Sequence, residues 1–103
     1  MIMVYENEIN KDSIIQNLNH IQNQIYRLLP VREEKGDWIK PLETLIIEIA
    51  GMSYIFSSIK EFLSLLAKLQ GILVLQEDVD FYLYRRTIFE CCGLVDKIKD
   101  KIN

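Results

Sequence analysis

Two prolines and four glycines are all the backbone punctuation that this chain of 103 residues carries. A β-sandwich or barrel needs a turn about every ten residues, so that scarcity argues against a turn-rich β fold. Cysteine is nearly as rare. Cys91 and Cys92 are adjacent, and neighbours in a helix point about 100° apart, which keeps the two thiols from bonding or sharing a ligand sphere. No second Cys or His pair stands at zinc spacing. Positive charge is not in excess either: 12 Lys and Arg against 15 Asp and Glu give a formal charge of −3. That balance provides no field for a phosphate backbone and disfavours nucleic acid as a partner. The uncharged stretch Ile49 to Ile59 falls well short of the roughly 18 residues of a membrane span. Residues 1–10, MIMVYENEIN, lack the basic start and apolar run of a signal peptide. A cytoplasmic protein with reduced thiols and no membrane partner is expected.

Apolar side chains are plentiful. They make up 50% of the chain, enough for a single domain, residues 1–103, with a core that needs neither disulfide nor metal. Sixteen isoleucines and eight lysines against two alanines fit an AT-rich genome, such as that of a low-GC bacterium or its phage.

The apolar residues recur at helical spacing. Ile14, Leu18, Ile21, Ile25 and Leu28 step by 4, 3, 4, 3, the seam of a helix packed almost parallel to its neighbours. Ser13 opens a capping box, and Pro30 closes the pattern. Asp37 is placed to cap a second helix with Pro41 in its first turn, and Leu42, Leu45, Ile49, Met52, Phe56 and Ile59 continue it. Trp38 is expected to cover the bundle end. Leu63 and Leu66 keep the same phase, but one helix from 41 to 73 is about 50 Å long, too long for a domain whose radius of gyration is about 13 Å. A break at Ser57-Ser58 resolves this, with Ile59, Phe62, Leu63, Leu66 and Leu69 forming the third seam and Gly71 its stop. Residues 72–76, ILVLQ, read as a connection or an extended helix end. Asp78 caps the last helix, whose seam is Phe81, Tyr84, Ile88, Cys91, Val95, Ile98 and Ile102. The sequence thus predicts an all-α, four-helix up-down bundle with helices about 12–29, 38–56, 58–71 and 78–101.

Chemistry-bearing residues are few. His20 is the only histidine and lies between seam positions, on the solvent side. Cys91 falls on a seam and behaves as a small hydrophobe, so no nucleophile–histidine pair assembles around it. Glu77-x-x-Asp80 resembles half of the acidic pattern of MazG-like nucleotide pyrophosphohydrolases. That resemblance implies an all-helical, magnesium-dependent enzyme using Glu43, Glu48, Glu77 and Asp80. The other half of the family's pattern, a paired acidic cluster on an earlier helix, is not matched: Glu43 and Glu48 are five apart and Glu33-Glu34 fall in a connection. A nucleic-acid regulator is the remaining rival, because DFYLYRR, residues 80–86, interleaves aromatics with Arg85-Arg86.

The favoured expectation is a non-enzymatic regulator that binds another protein, as an inhibitor, immunity-like factor, antitoxin or adaptor, with no cofactor or metal. Tyr82, Arg85, Arg86 and Phe89 are its expected contact residues. The last helix is apolar over more than the about three positions in seven that a bundle buries, since Tyr82, Phe89 and Leu94 flank its seam. A homodimer through this helix is therefore also expected.

Overall fold

The computed structural model of the protein describes residues 11–102. Four α-helices, a short 3₁₀ turn and no strand are present among them. The amino-terminal stretch on which the signal-peptide expectation rests lies outside the described residues.

Helix α1 (Lys11–Glu33) buries Leu18, Ile21, Ile25 and Leu28 as the spacing predicts, joined by Leu29. The expectation that Pro30 ends this helix is overturned, for the helix runs through it to Glu33. Pro30 and Tyr26, whose carbonyl loses its helical donor to the proline, both lie on the exposed side, so the freed carbonyl faces water and not the core. The helix ends instead in a Schellman turn. Gly36 N–H donates to the Val31 carbonyl at 2.8 Å and Lys35 N–H to Arg32 at 2.9 Å, with Lys35 in the left-handed region at φ 61. Gly36 serves this turn through its size. A Cβ there would meet both Val31 Cγ1 and the Val31 carbonyl oxygen at 3.2 Å.

Asp37 caps α2 (Ile39–Ile55) as expected. Its Oδ1 accepts from the Ile39 and Lys40 amides at 3.1 and 3.3 Å, and Pro41 sits in the first turn. Leu42, Leu45 and Ile49 are buried in the seam, with Met52 and Phe56 half-buried. The break falls where the sequence places it, but not by serine capping: α3 (Glu61–Leu75) has no side-chain cap at its start. The chain leaves helical geometry at Phe56, φ −108 and ψ 52, and Phe56 stacks on Phe62 across the turn, with ring centroids 6.3 Å apart. That apolar clasp resets the helical phase. The third seam is Phe62, Leu65, Leu69 and Ile72, so the assignments of Leu63 and Leu66 are corrected: Leu63 is 67% exposed and Leu66 only half-buried. Gly71 is not a stop, because α3 continues to Leu75 and takes residues 72–75 of ILVLQ as its extended end.

A 3₁₀ turn, Gln76–Asp78, then leads into α4 (Phe81–Ile102). Its cap is Asp80, not the expected Asp78: Asp80 Oδ1 accepts from the Leu83 amide at 2.8 Å. Tyr84, Ile88, Cys91, Val95 and Ile98 line the core. α1 packs mainly on α4, α4 on α3 and α3 on α2, with a slighter contact closing α1 to α2. This is an up-down bundle, 44 × 21 × 19 Å, with a radius of gyration of 14.2 Å. Polar side chains cross two of its grooves. Gln22 Nε2 donates to the Cys92 carbonyl at 2.8 Å and Lys99 to Asn19 at 2.8 Å, while Lys68–Glu90 and Lys101–Glu61 join α3 to α4, each at 3.1 Å. Among the described residues no helix is long and apolar enough to cross a membrane.

Candidate functional site

Tyr82, Arg85, Arg86 and Phe89 are spaced i, i+3, i+4, i+7, which on one helix is a single face. α4 runs unbroken through all four, so the structure brings the sequence-predicted residues together. They lie beside the core rather than in it: Tyr82 is 75% exposed and Phe89 42%, and both arginines are exposed. The Arg85 guanidinium lies over the Phe89 ring, 5.0 Å from its centroid, which holds a flexible cation in place. Arg86 Nε reaches Glu90 at 3.5 Å. The Glu90 carboxyl is held below the usual carboxylate range, first by its hydrogen bond from Lys68. These side chains line a shallow surface hollow.

One member of the face escaped the sequence reading. Tyr26 of α1 meets Phe89 edge-on, ring centroids 5.7 Å apart, and is itself 53% exposed. It also lines a second hollow, with Arg27, Pro30 and Glu33. The Tyr26–Phe89 contact therefore bridges two hollows across the α1–α4 groove. The available signal was an aromatic next to the seam residue Ile25, but nothing in one helix reveals which groove its flank will border.

The charged corner between α1 and α2 packs around Trp38. Trp38 is 1% exposed and packs edge-on against Tyr84 at 4.8 Å, covering the bundle end as expected. The Arg32 guanidinium lies 5.2 Å from the Trp38 ring and 4.6 Å from that of Tyr84, and donates to the Val79 carbonyl. The Tyr84 hydroxyl donates to the Leu28 carbonyl at 2.8 Å, and burial raises its pKa.

The remaining titratable groups are dispersed. Glu43 and Glu48 are exposed on α2, Glu77 lies in the 3₁₀ turn, and Asp80 is engaged as a cap. Among the described residues no group of three or more His, Cys, Asp and Glu is placed to hold a metal ion. His20 is exposed, where the sequence placed it. Cys91 is buried, and burial pushes its thiol up to about 12; half-buried Cys92 is raised by the same cause.

The chain is thus an all-α four-helix bundle whose described surface carries one ordered aromatic–arginine face. Comparison with known protein families, with curated proteins and with solved structures found no match to it.

Proposed function

We propose that the protein is a small regulator that works by binding another protein, in the manner of an inhibitor, immunity-like factor, antitoxin or adaptor. The observation that carries this reading is the α4 face itself. Tyr82, Arg85, Arg86 and Phe89 stand side by side, with Phe89 braced from α1 by Tyr26. Tyr and Arg are the side chains that most often dominate protein–protein binding energy, because they supply large contact area at modest cost in rotamer entropy. Glu90 pairs with Arg86 while Arg85 lies over Phe89, so a partner presenting Asp or Glu beside an apolar pocket is favoured.

The test is affinity purification from the native host with the intact chain beside Tyr82→Ala and Arg85→Ala variants. Both positions are exposed, so both variants are expected to keep the helical circular dichroism spectrum. The expected result is one protein that co-purifies with the intact chain and is lost from both variants. Identical co-purifying proteins from all three refute the reading.

A further inference from the structure

The most exposed large apolar side chains are not confined to α4. Ile47 is 73% exposed, Tyr54 86%, Leu63 67% and Val74 81%; the first two belong to α2 and the others to α3. The rotation of each helix is fixed by its neighbours. Pro41, Thr44 and Leu45 border the α1 groove, and Glu61 and Lys68 pair with α4. At 3.6 residues per turn, Ile47 and Tyr54 then stand on the outward side of α2, opposite its buried seam of Leu42, Leu45 and Ile49. Leu63 and Val74 likewise stand on the flank of α3 away from α4. Because α2 and α3 are adjacent and antiparallel, the two pairs share one face of the bundle. Exposed Ala50 and half-buried Leu66 lie between them, and Lys40 and Glu43, of opposite sign, stand at the amino-terminal end of the same α2 stripe.

Charge distribution makes the same point independently. Helix α2 carries only Lys40, Glu43 and Glu48, and α3 only Glu61 and Lys68, whereas α4 alone carries more than both together. A helix apolar around its whole circumference belongs in an interior. With roughly 150–200 Å² of surface per large side chain, the four exposed residues alone leave roughly 500 Å² uncovered. That is more than half of the roughly 800 Å² per partner of a standard interface.

We propose that this α2–α3 face is where two copies of the chain pair about a twofold axis. A face whose charges, Lys40 and Glu43, cancel gives a charged partner or an anionic bilayer no net charge to grip. A second copy presents the same apolar surface of no net charge, and a twofold axis makes that surface self-complementary. Pairing here leaves Tyr82 and Phe89 free on the opposite side of the bundle, so the inference stands apart from the proposed function. It also moves self-association away from α4, where the width of the apolar stripe predicts it.

Sedimentation velocity of the full chain at micromolar concentration tests the proposal, with Ile47→Glu, Val74→Glu and Phe89→Glu beside the wild type. The wild type and Phe89→Glu are expected to run as dimers. Ile47→Glu and Val74→Glu are expected to run as monomers with unchanged helical circular dichroism. Tyr54→Ser, a mild change at the most exposed position, keeps the test decisive should either charge unfold the chain; it is expected to weaken dimerisation by about tenfold. A wild type that stays monomeric throughout the micromolar range overturns the proposal. So do a dimer that survives both charges, a dimer that Phe89→Glu alone dissolves, unchanged dimer affinity in Tyr54→Ser, or monomers that instead adsorb to phosphatidylcholine vesicles.

Discussion

Lys35 occupies the one position in the α1–α2 corner where a side chain is a burden. Its φ of 61 brings Cβ toward the following carbonyl, a strain that glycine does not feel. Lys35→Gly is therefore expected to raise stability by about 0.5–1 kcal/mol, part of the gain being lost to the freer unfolded chain, as read from a urea unfolding midpoint. Cys91 and Cys92 give the opposite contrast. Only Cys91 lies wholly inside the seam, so Cys91→Ser is expected to cost about 1–3 kcal/mol more than Cys92→Ser if its hydroxyl stays unpaired. The same burial gives a pH dependence. The folded state holds the Cys91 thiol neutral, with a pKa pushed from 9.0 up to about 12. Its contribution is thus intact below pH 9 and lost as pH rises toward 12. Unfolding midpoints measured across that window are expected to fall less steeply for Cys91→Ala than for the wild type. The place of Cys91 could be read from spacing alone. That of Arg32 could not, because a guanidinium packed against both Trp38 and Tyr84 exists only once three separate segments have closed around it.

Among the helices, α3 departs most from its sequence pattern. Its existence and the break before it follow from length and compactness. Its rotation does not, because the Phe56–Phe62 stack resets the phase that Leu63 and Leu66 seemed to continue. Gly71 misled for a related reason: glycine marks a helix end only when the chain turns there, and here the apolar residues Ile72 to Leu75 carry the helix on. A Cβ on Gly71 meets nothing within 4 Å. Gly71→Ala is therefore expected to stabilise the bundle by about 0.5–1 kcal/mol through helix propensity alone, measured by thermal or urea unfolding. The α3–α4 groove is read most directly by titration. Glu61 is held below 4.5 first by its hydrogen bond from Lys101, and Glu90 first by that from Lys68. Lys68→Ala is expected to return the Glu90 midpoint toward 4.5 in a carbon-detected NMR titration while leaving Glu61 where it is. The stability these carboxylates lend is present above 4.5 and lost as pH falls through their lowered folded values.

For the molecule as a whole, the all-α bundle was visible in the spacing of Ile14 to Leu28, Leu42 to Phe56 and Tyr84 to Ile98. That Tyr82, Arg85, Arg86 and Phe89 share one face was visible too, because all four sit on one helix. The α2–α3 face was not. Ile47, Tyr54, Leu63 and Val74 read as surplus core until helix rotation shows which flank each one occupies. The outer dimensions of 44 × 21 × 19 Å then carry a dynamic consequence. A rod of this shape tumbles slowly end over end and quickly about its long axis. A second copy laid along the α2–α3 face roughly doubles one short dimension and leaves the long one unchanged, turning the rod into a squarer slab. Trp38, buried against both Arg32 and Tyr84, moves with the whole body. On pairing, its fluorescence anisotropy decay passes from two unequal correlation times toward a single longer one.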